Sequence, residues 1–411
     1  MSTEQKILNR WIVVIGAILI QLALGTIYCW GTMTLFATPN IVPAITKEVT
    51  VYIFGVGLLS FAITMIFAGQ LQQKVGPKKV AILGGILLGL GVILSALTAS
   101  SFIGLLITYG IIFGMGIGFA YVCPIACAAK WFPDKKGFIN GIAVAGFGAG
   151  SFIFNYAIKF FGDINVPLMF VLLGIIYLVM VLGGAMVLKN PPEGWTPAGW
   201  TPPPPSEEAG ISGLEFERKA MIKLPQFWML WLAFVLSAIC GLMTIGAYSS
   251  FAKSIPGADI NNTDYLVLVG ALAALFNGLG RIIWGMLSDK ITYKKSMMIM
   301  FTIQAILMVS FFITATNIVM FLIFVCALYF CFGGNFSMFP TATSDLFGSK
   351  NLGPNYGVVF TAYGIAGFMG ATMVNTFVTL FGGYLTLFIV MGLMSLAATA
   401  LAYVLKPPTK E

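Results

Sequence analysis

Long apolar runs separated by short polar segments make up almost the whole chain. Runs of about 20 residues recur from end to end, and a helix needs about 20 apolar residues to cross the hydrocarbon core of a bilayer. The runs lack the alternation of a membrane β-barrel strand, so we predict helices. Twelve spans are predicted, at 11–37, 51–71, 80–99, 102–129, 138–161, 167–188, 226–251, 264–288, 296–315, 318–345, 355–381 and 384–405.

The composition supports a membrane protein rather than a soluble enzyme. Hydrophobic residues make up 59% of the 411 residues and charged residues only 9%, whereas a soluble globular chain is about 25% charged. The first span is too long for the apolar region of a cleaved signal peptide, so we expect it to remain as the first helix. The predicted spans contain no nucleophile–base or acid pair, which argues against a membrane-embedded enzyme.

The distribution of basic residues predicts the orientation of the helices. If the N-terminus is cytoplasmic, 18 of the 22 Lys and Arg residues lie on that side and 3 on the other, and the remaining one is Arg281. This bias is the positive-inside signal of membrane proteins. We therefore expect a multi-pass protein of the cell membrane with both termini in the cytoplasm. The net charge of +8 then reflects orientation, and no nucleic-acid partner is expected.

Cysteine and histidine usage gives no sign of a metal or redox site. The chain has no histidine, and its six cysteines all fall inside predicted spans without zinc-ligand spacing. We interpret the cysteines as small packing residues. We therefore expect no cofactor and no metal, a lipid bilayer as the surroundings, and a monomer.

A proline-rich segment divides the chain into two sets of six spans. Between Lys189 and Lys223 the sequence holds Trp-Thr-Pro-Ala-Gly-Trp-Thr-Pro-Pro-Pro-Pro followed by two glutamates, a composition typical of a linker. We predict an N-terminal six-helix bundle at 1–188, a cytoplasmic linker at 189–224 and a C-terminal six-helix bundle at 225–411. A short helix is expected along the membrane interface from about Ile211 to Lys223.

The two halves repeat one another at a constant offset. Gly69 corresponds to Gly285 (285 − 69 = 216), and Pro124 corresponds to Pro340 at the same offset. Parallel six-helix repeats related by an axis along the membrane normal are a transporter architecture, with the substrate site between the halves. The sequence therefore predicts an all-α membrane protein of twelve transmembrane helices in two pseudo-symmetric six-helix bundles.

The loops after the second and eighth spans resemble the signature loop of the major facilitator superfamily. The first loop begins at Gly69 and reaches Lys78, and the second begins at Gly285 and contains Asp289. The resemblance implies that these residues take part in gating on the cytoplasmic side. At the position of Asp289 the first copy has Gln73, so a charge-relay gate is implied only for the second copy.

A narrower resemblance points to one branch of that superfamily. Lys130-Trp-Phe-Pro-Asp-Lys-Lys-Gly137 and Leu275-Phe-Asn-Gly-Leu-Gly-Arg281 are similar to segments of oxalate–formate antiporters and monocarboxylate transporters, as are Leu224-Pro-Gln-Phe-Trp228 and Asn355-Tyr-Gly357. The resemblance covers nearly the whole chain. It implies transport of a small carboxylate, with proton coupling as the expected energy source and a proton as the second transported species.

Arg281 is the sharpest functional feature of the sequence. All 14 acidic residues lie in loops, tails or span ends, so Arg281 is the only fixed charge predicted within the hydrocarbon region. A central arginine costs about 2.5–3.5 kcal/mol to insert, and an anionic ligand would compensate it. A guanidinium also grips a carboxylate with two parallel hydrogen bonds. We therefore predict that Arg281 anchors the substrate carboxylate.

Two structural roles remain open for Arg281. Its side chain can pair with backbone carbonyls or snorkel, and Asp289 is the nearest acid in the sequence. The repeat mate of Arg281 is Met65 (281 − 216 = 65), so the charge belongs to one half only. A single cationic anchor suits a substrate with a single carboxylate.

Polar and aromatic residues in several spans complete the predicted site. Asn277 lies one turn before Arg281 and can hold the guanidinium or a substrate oxygen. Tyrosine hydroxyls can donate hydrogen bonds to a carboxylate without adding charge. Phe147 and Tyr363 are repeat mates (363 − 147 = 216) and should face each other across the pseudo-axis. The predicted substrate-binding set is Arg281, Asn277, Tyr28, Tyr121, Tyr363, Phe147, Phe332, Phe336 and Phe360.

The identity of residue 363 bears on substrate charge. Oxalate–formate antiporters have a lysine where this chain has Tyr363, and the resemblance therefore implies lactate- or pyruvate-like monoanions rather than dianions. We expect a proton-coupled monocarboxylate transporter working by alternating access. An exchanger of organic anions is the principal alternative, and a non-transporting membrane sensor of the same fold is a third hypothesis.

Overall fold

A computed structural model describes residues 9–29, 33, 47–201, 211–253, 260, 263–314, 316–381 and 384–409, and these residues form an all-α structure. The helices are α1 (Arg10–Leu24), α2 (Lys47–Val75), α3 (Pro77–Thr98), α4 (Phe102–Trp131), α5 (Lys136–Ile164), α6 (Val166–Ala185), α7 (Arg218–Met221), α8 (Pro225–Lys253), α9 (Thr263–Ile291), α10 (Tyr293–Thr314), α11 (Ile318–Phe347), α12 (Leu352–Val359), α13 (Thr361–Phe381) and α14 (Leu385–Val404). The predicted all-α membrane fold is confirmed.

Eleven helices in the described part of the chain are long and apolar enough to cross a membrane. They correspond to the first ten predicted spans and to the twelfth, at 384–405. The eleventh predicted span, 355–381, is not among them. The structure divides the 355–381 span into α12 and α13, with Phe360 as the junction. The end of the first predicted span, beyond Cys29, lies outside the described residues apart from position 33. Our domain bounds at 188 and 224 stay a prediction.

Local sequence determines where several helices begin. The side chain of Asn165 accepts a hydrogen bond from the backbone N–H of Leu168 and caps α6, whose first turn contains a proline. Asn317 caps α11 by accepting from the N–H groups of Val319 and Met320. Such caps satisfy N–H groups that have no partner within the helix, which is how these spans begin sharply after polar segments.

The segment before α8 differs from the prediction. A helix was expected from Ile211 to Lys223, but only Arg218–Met221 is helical. Residues before it are extended, and the N–H groups of Ser212 and Phe216 donate to the carbonyls of Asp345 and Phe347 at the end of α11. Those carbonyls lack partners within α11, and Gly213 has a φ of 65°, which a helix cannot accommodate. The expectation of a helix over 211–217 is therefore wrong.

The two halves meet along helices α5 and α9 and along α2, α12 and α13. We call the end of the bundle that carries α7 and the 211–217 segment the linker end. At this end the halves touch backbone to backbone, because glycines stand where side chains would keep the helices apart. A Cβ atom at Gly285 would lie 2.2 Å from the carbonyl oxygen of Gly137, and one at Gly69 would lie 2.3 Å from that of Gly353.

Candidate functional site

The guanidinium of Arg281 lies fully buried between the two halves. Arg281 has 0% exposure, and its Nε donates to the Asn277 side-chain oxygen at 3.0 Å, as the one-turn spacing predicts. Nη1 donates to the backbone carbonyl of Val144 in α5 at 2.7 Å. The remaining nitrogen, Nη2, is buried and makes no well-formed hydrogen bond to the described residues, and the Tyr28 hydroxyl interacts with the guanidinium. Backbone pairing therefore accounts for only part of the donor capacity of this side chain.

Two aromatic rings flank the guanidinium from opposite halves. The central carbon of Arg281 lies 4.2 Å from the ring centroid of Phe336 in α11 and 5.2 Å from that of Phe147 in α5. Both distances are within the range of cation–π attraction, which contributes about 0.5–2 kcal/mol. The rings stabilise the cation without neutralising it. The site therefore keeps a net positive charge that an anion can use.

Tyrosine hydroxyls surround the positive charge. Tyr28 and Tyr363, which come from different halves, share a hydrogen bond of 2.5 Å between their hydroxyl oxygens. The hydroxyl of Tyr121 is buried and makes no well-formed hydrogen bond within the described structure. The charge of Arg281 acts on all three hydroxyls. These groups can donate to the oxygens of an anion, and the Tyr28–Tyr363 bond joins the halves over the site.

The predicted aromatic residues form one continuous cluster. The ring of Tyr121 lies 5.6 Å from Phe147 and 5.1 Å from Phe360, measured between centroids. The ring of Tyr363 lies 4.9 Å from Phe360. The structure thus brings all nine predicted site residues together, and the closest ring pairs that complete the cluster are Tyr28–Phe147, Phe336–Tyr363 and Phe332–Phe336.

The repeat mates Phe147 and Tyr363 are connected through a third residue. Tyr28 packs its ring edge-on against Phe147, with the centroids 5.1 Å apart, while its hydroxyl bonds to Tyr363. Their placement on either side of Tyr28 fits the expectation that they oppose each other across the pseudo-axis. Phe332 packs on Phe336, with 5.2 Å between the ring centroids.

Two residues of the cluster were missed from the sequence. Phe61 in α2 packs edge-on against Tyr121, and its ring also lies 5.0 Å from that of Phe360. Tyr356 in α12 is fully buried, and the charge of Arg281 acts on its hydroxyl. The Asn355-Tyr-Gly357 segment was noted only as part of the family resemblance. Apolar spans rich in Phe give no signal that singles out one ring.

Asp289 lies at the linker end and contacts the start of α5. Its two carboxylate oxygens accept hydrogen bonds from the N–H groups of Gly137 and Phe138, both at 2.8 Å. An acid at this position satisfies free N–H groups at the start of α5 and complements the helix dipole. Because Asp289 belongs to α9, the cap joins the two halves. Lys78 lies half-buried in the first turn of α3.

The repeated loop closes the other interface in a different way. Gln73, the mate of Asp289, donates through its amide to the carbonyl of Lys350 and to the side chain of Asn351, at 3.3 and 3.0 Å. The backbone contacts nearby are nevertheless alike in the two interfaces. A Cβ at Gly141 would lie 2.3 Å from the Arg281 carbonyl, and one at Gly357 would lie 2.5 Å from that of Met65.

Comparison with known proteins places this geometry in context. The sequence model of the family described as Major Facilitator Superfamily matches residues 7–371 and 255–411. The apicoplast pyruvate carrier 1 of Toxoplasma gondii is 26% identical, over 87% of this chain and 82% of the relative. The oxalate:formate antiporter of Oxalobacter formigenes is 28% identical, over 96% of this chain and 91% of the relative.

A solved structure supports the fold independently of the site. The proton:xylose symporter XylE, solved with a bromo-deoxyglucose, aligns with a TM-score of 0.71 over 96% of this chain and 95% of that one. The two sequences are 14% identical over this alignment. This likeness concerns the arrangement of helices alone and carries no information about the substrate.

Proposed function

Because the chain belongs to the major facilitator superfamily, and within it to the branch of oxalate–formate antiporters and monocarboxylate carriers, we propose that it carries small monocarboxylates of lactate or pyruvate size. The protein is a multi-pass membrane transporter and not an enzyme. The finer statements below concern its substrate, its site and its coupling.

One observation carries the choice of substrate class. Nη2 of Arg281 is buried at membrane depth and makes no well-formed hydrogen bond within the described chain, while the other two nitrogens are engaged. A buried cationic donor left unpaired costs at least about 1–3 kcal/mol. A carboxylate of the substrate would remove this cost and neutralise the charge. Arg281 therefore acts as the substrate anchor.

The surroundings of Arg281 favour a monoanion. Tyr363, Phe360 and Phe336 line the site with neutral groups. A second carboxylate would be desolvated against them without a partner, which costs several kcal/mol. The other end of a monoanion is a methyl, keto or hydroxyl group, and rings and tyrosine hydroxyls accommodate these groups. The pyruvate carrier among the relatives is consistent with this class.

Substrate binding links the two halves through the same side chain. Arg281 belongs to α9, and it already donates to Val144 of α5 across the interface. A carboxylate placed at Nη2 would also lie near Tyr28 and Tyr121, because the charge of Arg281 acts on both hydroxyls. Neutralisation of the cation removes the penalty of enclosing it in a dry site. The protein with substrate bound can then pass through the closed state, and the substrate crosses the membrane.

Proton coupling is the proposed energy source. The chain has no histidine, and its acids lie in loops, tails or span ends, so the proton travels with the substrate or through water. An inward proton gradient should then drive lactate above its outside concentration in proteoliposomes. If the gradient changes nothing while counterflow is rapid, exchange replaces symport. The antiporter that matches 96% of this chain makes exchange the second candidate function.

The linker end is proposed to face the cytoplasm of the cell. This orientation follows from the excess of lysine and arginine at that end. Single cysteines at Ser206 and Asn262, both outside the described residues, test it with an impermeant thiol reagent added to whole cells. Labelling is expected at 262 only, and labelling at 206 would reverse the orientation.

Arginine variants test the anchor directly. Arg281→Lys keeps the charge but loses the forked donor geometry, so we expect transport to fall to a few per cent of wild type. Arg281→Gln should abolish lactate binding, measured by isothermal titration of purified protein. Arg10→Lys is the control, because it makes the same chemical change at a partly exposed ion pair with Asp134. Near-normal binding by Arg281→Gln would return this residue to a structural role.

A further inference from the structure

An extended segment of the linker lies across the linker end of the bundle. We call residues 212–218 the strap. Its backbone is bonded to the end of α11, with the N–H groups of Ser212 and Phe216 donating to the carbonyls of Asp345 and Phe347 at 3.0 and 2.9 Å. The Ser212 hydroxyl also accepts from the N–H of Leu214 at 3.1 Å. These bonds hold the strap in one place on the second half.

The strap also organises the turn between α11 and α12. The Glu215 carboxylate accepts from the N–H of Ser349 at 3.1 Å and from the N–H of Lys350 at 3.1 and 3.2 Å. The carbonyl of Phe216 accepts from the side-chain amides of Asn351 and Asn355, at 3.1 and 3.0 Å. Bonds between a carboxylate and backbone N–H groups are among the stronger hydrogen bonds in proteins. These hydrogen bonds therefore hold the strap against this turn.

Glu215 supplies a carboxylate that the repeat lacks at this interface. At the α5–α9 interface Asp289 provides the acid that caps the start of α5. Its mate Gln73 reaches the turn before α12 but brings only a neutral amide. Glu215 arrives at the same turn from outside the repeat. The linker thus places a carboxylate on backbone N–H groups at this interface, where the first half offers only the Gln73 amide.

The strap reaches the first half as well. With the Gln70 amide oriented so that its oxygen faces Arg218, the two terminal guanidinium nitrogens of Arg218 lie 3.2 and 2.8 Å from that oxygen. Gln70 belongs to α2. The charges of Glu215 and Lys130, at the end of α4, also act on each other. The strap is anchored on the second half, contacts the first half at Gln70, and acts electrostatically on Lys130.

We propose that the strap is a latch that stabilises the state closed at the linker end. Opening that end must separate Gly69 from Gly353, which lie backbone to backbone in this structure. The strap moves with the second half, so opening also breaks the Arg218–Gln70 contact and weakens the electrostatic attraction between Glu215 and Lys130. Exposed polar contacts contribute little individually. Removing one should therefore raise the ratio of open to closed molecules by up to about fivefold.

Spin-label distances across the linker end test the latch without any substrate. Cysteines at the exposed positions Lys74 on α2 and Lys290 on α9 carry the labels, and all six native cysteines are buried. Electron–electron resonance in nanodiscs then reports the populations of short and long distances. Glu215→Gln and Arg218→Gln should each enlarge the long-distance population. Because no carboxylate is present, failure of the anchor at Arg281 would leave this result unaffected.

Neighbouring residues of the same charge provide matched controls. Glu217→Gln and Lys219→Gln change the charge equally, and neither side chain has a hydrogen bond or ion pair with the described residues. Both controls should leave the distances as in wild type, and thermal denaturation checks that all four variants are folded. Wild-type distances in both Glu215→Gln and Arg218→Gln would overturn the proposal. Equal shifts in the controls would also overturn it, since net charge would then be the cause.

Discussion

The two interfaces between the halves share a backbone arrangement but differ in chemistry. At one interface Gly141 packs against the backbone of Arg281, and at the other Gly357 packs against the backbone of Met65. The side chains at these mated positions are a fully buried cation and a fully buried thioether. The repeat therefore preserves the backbone contacts between the halves, while at this pair of positions the buried cation lies at one interface only. The backbone packing between the halves can therefore stay the same while the side chains at the mated positions differ in chemistry.

The largest expected effect tests whether the shared packing matters equally on both sides. Gly141→Leu and Gly357→Leu each place a side chain where a Cβ would already lie 2.3 or 2.5 Å from a backbone oxygen. Overpacking costs about 1–3 kcal/mol or more, so uptake by both variants should fall below about a tenth of wild type. Gly57→Ala is the control, since its nearest neighbour would be 3.7 Å away. A variant with normal uptake would show that its interface need not close tightly.

The next effect concerns charge, and it sharpens the contrast between the halves. Tyr363→Lys adds a second cation to the site, so oxalate should gain affinity relative to lactate by more than about tenfold. Tyr363→Phe removes only the hydroxyl and its bond to Tyr28, and it should leave the preference for monoanions in place. Competition binding with both anions measures the change. If oxalate already displaces lactate from wild type at equal concentration, the argument from residue 363 is wrong.

The smallest effect compares the mated residues Asp289 and Gln73 directly. Asp289→Ala removes a carboxylate that caps α5, and losing such a cap costs about 1 kcal/mol. Gln73→Ala removes neutral hydrogen bonds at an exposed site, and it should cost less than about 0.5 kcal/mol. Unfolding by SDS titration in mixed micelles compares the two variants. Equal losses in the free energy of unfolding would mean that the Asp289 carboxylate stabilises its interface no more than the Gln73 amide stabilises the other.

The sequence is informative where one residue stands out from an apolar background. Arg281 is visible because no other charge is predicted at its depth, and Asn277 because one helical turn separates the two. The spans are visible from length and hydropathy. Contacts between helices that are far apart in the sequence produce no recognisable sequence pattern. Tyr356 and Phe61 were missed because apolar spans contain many similar rings, and only the packing of α2 and α12 brings these two to the site.

The linker shows a different limit of prediction. Its composition between Ile211 and Lys223 permits a helix, but the free carbonyls at the end of α11 offer its backbone other partners. Those carbonyls belong to residues more than 100 positions away, Asp345 and Phe347, so no local pattern reveals them. The role of Asp289 was hidden for the same reason, since its partners lie at the start of α5.

The glycine contacts at the linker end have a consequence for how this protein tolerates mutation. Closure there depends on missing side chains at Gly69, Gly141, Gly285 and Gly357, so no substitution can preserve the contact by chemical similarity. Even alanine adds an atom where a carbonyl oxygen already lies. In a saturation library selected for growth on a transported acid, these four codons should tolerate almost no change. The aromatic residues of the cluster around Arg281 should accept exchanges of one ring for another, because each ring packs against other rings of the cluster.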